Sequence, residues 1–121
     1  MAKTKILLAE DEEVMRSMLV DFMSMFDYEI IEAENGEQAW DMWNEDNFTV
    51  VISDINMPKM SGIDLLRKIK ESSPDFPVIL ITGVSIDTAK KMAEKYKADA
   101  FLSKPFKMKR LLMTLQDVLK K

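Results

Sequence analysis

A chain of 121 residues, 47% apolar and 31% charged, has enough apolar material for one globular domain over 1–121 with a single moderate core, and no room for a second. It contains no cysteine and no histidine, which excludes disulfides, thiolate catalysis and cysteine-ligated zinc and removes the commonest general base and metal ligand. With neither residue present, any chemistry runs on carboxylates, hydroxyls and lysine, and the formal charge of −4 argues against unspecific nucleic-acid binding.

Lys5, Ile6, Leu7, Leu8 and Ala9 predict a first strand that ends in the acid pair Glu10 and Asp11. Met15, Met18, Leu19, Phe22 and Phe26 then recur as a helical stripe. A second strand is expected over 29–33. The Asn35-Gly36 break leads into a helix with Ala39, Trp40 and Trp43 on one face. Thr49, Val50, Val51, Ile52 and Ser53 read as a buried third strand, closed by Asp54. The loop after it, from Ile55 to Gly62, is rich in breakers. Ile63, Leu65, Leu66 and Ile69 mark a third helix, Val78 to Ile81 a fourth strand ending at Thr82-Gly83, and 86–96 a fourth helix through Ala89, Met92, Ala93 and Tyr96. Ala100, Phe101 and Leu102 form a short fifth strand. Lys104-Pro105 breaks the chain before a last helix with Met108, Leu111, Leu112, Leu115 and Leu119 inward.

Strands alternating with helices, each strand a continuous apolar run, indicate an α/β fold whose parallel sheet is covered on both faces. Right-handed crossovers and five strands are satisfied most simply by a doubly wound, flavodoxin-like sheet of order 2-1-3-4-5 with five helices. In that order the winding reverses between the first and third strands, and the crevice lies at their carboxyl ends. Glu10 and Asp11 end the first strand and Asp54 ends the third, so three carboxylates converge there.

Three such acids resist ionising side by side unless a cation joins them. An all-oxygen set with few carboxylates and room for water suits Mg2+ better than Ca2+. Thr82 and Lys104 stand at the ends of the fourth and fifth strands, along the same sheet edge. Taken singly, these are an ordinary capping residue and an ordinary lysine. Their joint placement is what fits a phosphoryl group, with the ammonium neutralising its oxygens and the hydroxyl donating to one.

With these residues in hand, the whole chain resembles the receiver domain of two-component response regulators. The likeness rests on Glu10-Asp11, Asp54 with Met57-Pro58 and Gly62 downstream, Thr82-Gly83, and Lys104-Pro105-Phe106, in order and near the family's spacing. It implies that Asp54 accepts a phosphoryl group from the phosphohistidine of a sensor histidine kinase or phosphotransfer protein. It further implies that Glu10, Asp11, Asp54 and the backbone carbonyl of Asn56 hold Mg2+, and that Lys104 and Thr82 contact the phosphoryl oxygens. The peptide before Pro105 is commonly cis in the family, and Phe101 takes the aromatic switch position beside Thr82. Such a domain assists its own phosphorylation and dephosphorylation without being an enzyme in the turnover sense. Its output partner is expected on the face of the fourth helix, fifth strand and fifth helix, with dimerisation on phosphorylation left open.

That face is expected to be basic, because Lys90, Lys91, Lys95, Lys97, Lys107, Lys109 and Arg110 fall on or near it. Residues 1–54 carry 14 acids against 3 bases, and residues 55–121 carry 7 acids against 14 bases. No stretch approaches the ~20 apolar residues of a membrane span, and the amino terminus lacks the long apolar region of a secretory signal. The expected location is therefore cytoplasmic, without membrane or direct nucleic-acid binding. Both a complete single-domain regulator and a piece of a longer protein fit the sequence.

Several residues depart from the family's pattern. Glu10 stands where many members have aspartate, Gly83 where alanine is frequent, and Lys97 where glycine often closes the fourth helix. Phe101 lacks a tyrosine's hydroxyl, and Asn56 and Val84 hold positions that tune acyl-phosphate lifetime. Three rival readings differ in class. A haloacid-dehalogenase-type phosphatase expects a second aspartate where this chain has Asn56. A flavodoxin-type carrier expects a glycine- and hydroxyl-rich loop where Glu10 to Glu13 would repel a flavin phosphate. The third is a receiver-like module working only by interaction, against which the intact acid set argues.

Overall fold

The computed structural model describes residues 3–83 and 86–120. Five strands, β1 (Thr4–Ala9), β2 (Tyr28–Ala33), β3 (Val50–Asp54), β4 (Val78–Thr82) and β5 (Ala100–Ser103), form one parallel sheet of order β2-β1-β3-β4-β5. They alternate with α1 (Glu13–Met23), α2 (Gly36–Glu45), α3 (Gly62–Ser72), α4 (Ile86–Lys95) and α5 (Met108–Leu119). The expected flavodoxin-like, doubly wound architecture is the one observed.

The continuous apolar runs have a direct cause. Successive strand residues point to opposite faces, and here both faces are covered. Leu7, Ala9, Val51 and Leu80 pack toward α2, α3 and α4, whereas Ile6, Leu8, Val50, Ile52, Ile79 and Ile81 pack toward α1 and α5. Each fully buried Leu or Ile contributes about 1.5–3 kcal/mol by leaving water. β3, central in the sheet, is buried at every position.

Helix starts are fixed locally. Asn35 Oδ1 accepts from Gln38 N at 2.8 Å and Ser61 Oγ from Asp64 N at 3.1 Å, which satisfies one otherwise free N–H at the start of α2 and of α3. α4 ends in a Schellman turn in which Ala98 N donates to Ala93 O at 2.9 Å and Lys97 N to Glu94 O at 3.1 Å. That turn puts Lys97 at φ 64°, in the left-handed region.

The first helical stripe differs from the expectation. Leu19 and Met23 are the buried pair, while Met18 is 51% exposed and Phe26 38% exposed. At about 100° per residue, Met18 stands a quarter turn from Leu19, and Met23 shares Leu19's face one turn on. Phe26 leaves the stripe because the chain tightens into a 3-10 turn over Ser24–Phe26, closed by Asp27 at φ 62°.

The strand order also sorts charge. The acid-rich first part of the chain supplies β2, α1 and α2 at one edge, and the base-rich remainder supplies β5, α4 and α5 at the other. Lys90, Lys91, Lys95, Lys97, Lys107, Lys109 and Arg110 are all exposed on or beside α4 and the start of α5, as expected.

Candidate functional site

β1, β3, β4 and β5 end along one edge of the sheet, and their last residues build the site. Asp54 belongs to β3 rather than to the loop, because it pairs with Ile81 and Ile55 N continues the ladder to Ile81 O at 2.9 Å. Its side chain comes from a strand held on both sides, and the residue is only 7% exposed. Glu10 follows β1 directly, with its N–H donating to Ala33 O at 3.1 Å, and is 2% exposed. Asp11, next in the chain, is exposed.

One carboxylate oxygen from each of Glu10, Asp11 and Asp54 lies within 4.8 Å of the others. Lys104 enters from the far side. Its N–H donates to Thr82 O at 2.7 Å, and its Nζ lies 3.0 Å from Glu10 Oε1 and 3.4 Å from Asp54 Oδ2. The Lys104-Pro105 peptide is cis, as the resemblance implies.

The electrostatics follow from this geometry. Burial pushes the Glu10 carboxyl up to about 7, the charge of Asp54 adds to the push, and the hydrogen bond and charge of Lys104 oppose it. Burial acts to lower the Lys104 ammonium, but the hydrogen bond to Glu10 and the charges of Asp54 and Glu10 outweigh it, and the net shift is upward. With every group ionised, the three carboxylates of the cluster and the Lys104 ammonium, which pairs with Glu10 and Asp54, would sum to two net negative charges. An oxygen-only donor set with that charge fits a hard divalent cation.

Two glycines let the walls close. A Cβ on Gly62 would stand 2.1 Å from Asp54 O, and one on Gly36 1.9 Å from Met60 O. Gly62 N donates to Ile55 O at 2.8 Å, which folds the loop between β3 and α3 back beneath the strand end. Asn56 is exposed in that loop.

Thr82 ends β4 and is fully buried. Leu80 pairs with Phe101 and Thr82 with Ser103, so Thr82 and Phe101 are diagonal neighbours on the sheet face that α4 covers. Phe101 is half-buried and lines a cavity of about 260 Å³ against α5, with Arg110, Met113 and Thr114. The structure thus brings Glu10, Asp11, Asp54 and Lys104 together, with Thr82 on the same edge and Phe101 one strand over. Val84 lies outside the described residues.

One contributor escapes sequence reasoning. Arg16 on α1 has a side chain only 11% exposed, and its guanidinium donates to the Glu10 carbonyl at 2.8 Å and to Glu32 Oε1 at 3.1 Å. The available signal was a base standing alone in an acid-dense stretch.

Fold and pocket together define a doubly wound α/β protein with an acidic cluster and a lysine at its topological switch point. Residues 6–116 match the family model of the response regulator receiver domain, and the chain belongs to that family. It is 33% identical over 115 residues to the response regulator receiver protein CpdR of Brucella abortus (strain 2308), covering 95% of this chain and 96% of that protein. It is 31% identical over 117 residues to the transcriptional regulatory protein CpxR of Escherichia coli (strain K12), covering 97% of this chain but 50% of CpxR, so it spans about half that relative's length.

Among solved structures, the chemotaxis protein CheY4 of Vibrio cholerae is 31% identical with a TM-score of 0.90, over 98% of this chain and 100% of that one. A response regulator receiver domain protein from Clostridium thermocellum is 28% identical with a TM-score of 0.91, over 97% and 94%. The chain is a receiver domain of two-component signalling, and receiver domains are typically signalling domains rather than true enzymes. Receiver domains bind Mg2+ at an acidic pocket, and this chain has such a pocket. No helix among the described residues is long and apolar enough to cross a membrane.

Proposed function

We propose that the domain is a phosphorylation switch in which Asp54 takes a phosphoryl group from the phosphohistidine of a sensor histidine kinase or phosphotransfer protein. The observation that carries this reading is the meeting of Glu10, Asp11 and Asp54 within 4.8 Å, with the Lys104 ammonium 3.0 Å from one and 3.4 Å from another.

A carboxylate oxygen of Asp54 attacks phosphorus in line. The P–O bond forms as the P–N bond breaks, and the imidazole leaves with the electron pair. A carboxylate nucleophile has no proton to lose, so no general base is needed. This is how a histidine-free domain does the chemistry. Glu10, Asp11, Asp54 and the Asn56 carbonyl would hold Mg2+, and the ion would supply positive charge against the phosphoryl oxygens. Lys104 exchanges its carboxylate partners for a phosphoryl oxygen, and the Thr82 hydroxyl donates to another.

The transferred charge draws Thr82 toward it and frees space beside β4. Phe101, its diagonal neighbour, turns inward to fill that space, which alters the exposed surface of α4, β5 and α5. An output domain or protein reads that surface, in the cytoplasm. The basic side chains there favour an acidic patch on the reader.

The test is incubation with Mg2+ and a small acyl phosphate, followed by intact mass measurement. One added phosphoryl group, lost in Asp54→Asn, is the expected result. No gain in the parent chain would overturn the reading and leave an interaction module that is not phosphorylated.

A further inference from the structure

The Glu10 carbonyl belongs to the peptide that joins Glu10 to Asp11, so holding that carbonyl anchors the stretch of backbone from which both acid side chains leave. The neighbouring Glu10 N–H is fixed by Ala33 O at 3.1 Å. The carbonyl is fixed by Arg16, whose donor lies 2.8 Å away. Arg16 is anchored in turn on β2 and the residue just past it, with Nε 3.1 Å from Glu32 Oε1 and a terminal nitrogen 3.9 Å from Glu34 Oε1. The guanidinium therefore ties α1, the end of β1 and the end of β2 together directly behind the acid pair. Lys3 and Lys5, the other bases before Asp54, pair with Asp27 and Asp46 and take no part in this.

We propose that Arg16 is a positioning residue for cation binding: it locks the peptide between Glu10 and Asp11 so that both carboxylates face Asp54. This rests on the reading of the acid cluster as the Mg2+ site.

Two simpler roles make different forecasts. If Arg16 acted only as a nearby positive charge, it would oppose a cation, and removing it would tighten Mg2+ binding. If it acted only as structural glue, its loss would lower the unfolding temperature without changing affinity in the folded protein. Positioning forecasts weaker binding whether or not the charge is kept, because a lysine cannot reproduce the planar fork that reaches the carbonyl and Glu32 together.

The experiment is calorimetric Mg2+ titration of the parent chain, Arg16→Lys and Arg16→Met well below their unfolding temperatures, with amide NMR of Asp11 as a second readout. Loss of a partner that orients metal ligands typically weakens metal affinity about 10-fold or more. We expect that loss in both variants, together with a displaced Asp11 amide resonance. Unchanged affinity in Arg16→Lys, or tighter binding in Arg16→Met, overturns the proposal while leaving the Mg2+ site intact. Failure of the parent chain to bind Mg2+ overturns this proposal and the reading of the pocket together. Should Arg16→Met not fold, Arg16→Lys alone decides between positioning and charge.

Discussion

Lys104 Nζ stands 3.4 Å from Asp54 Oδ2 and 3.0 Å from Glu10 Oε1, so one ammonium already bridges the expected phosphoacceptor and an expected cation ligand. Its side chain is 19% exposed, which keeps the pairs strong but still reachable by an incoming anion. Lys104→Met is expected to slow acyl-phosphate-driven phosphorylation by about 100-fold, the usual cost of one preorganised donor. A time course of intact mass checks this, with a circular-dichroism melt as the fold control. An unchanged rate removes Lys104 from the chemistry.

Asp54 sits in the cluster as a like charge beside Glu10 and Asp11. With a chelator present, Asp54→Asn relieves that repulsion and is expected to stabilise the fold by about 1 kcal/mol. Urea unfolding in EDTA measures it. The same variant should also lose most of the stabilisation that Mg2+ gives the parent, since binding to the folded state alone is what raises stability. A destabilised variant in EDTA would mean that the pair with Lys104 outweighs the repulsion.

Lys97 closes α4 at φ 64°, where an L-residue is strained and glycine is not. Lys97→Gly is expected to raise stability by about 1 kcal/mol. Chemical denaturation at fixed ionic strength reads this directly. A loss would show that the lysine makes contacts worth more than the backbone strain.

Gly62 leaves no room for a side chain, since an added Cβ would stand 2.1 Å from Asp54 O and 2.8 Å from the Ile55 Cα. Backbone on both sides cannot swing aside, so Gly62→Ala is expected to cost about 2–3 kcal/mol. It should also weaken Mg2+ binding by displacing the strand end that carries Asp54. A variant that melts like the parent and binds Mg2+ equally well would contradict this.

The sheet order was legible because both faces are covered, which turns each strand into an unbroken apolar word between breakers. The four charged residues of the pocket were legible for a related reason. Each ends or follows a strand, and a parallel sheet lines up such ends. Met18 and Met23 were not, since Met18 sits at a plausible period and only the rotation of α1 on the sheet decides which face is buried. Arg16 stayed hidden because its role depends on contacts with a carbonyl and with β2, which no spacing encodes. Lys97 lies between these cases: the family pattern marked it as a glycine position, and the Schellman turn gives it the positive φ that such a position requires.

Sorting acids to the β2 edge and bases to the β5 edge makes the molecule an electric dipole whose axis crosses the strands. Its field extends about 8 Å beyond the surface at physiological salt, far enough to rotate an approaching partner before any side chain touches. Cationic surfaces are turned toward one end and anionic surfaces toward the other, so partners of opposite charge are drawn to different sides. Stopped-flow association rates that fall with added salt for each partner, while dissociation rates hold, are the expected sign of this torque. Salt-independent association would mean that the alignment is made only after contact.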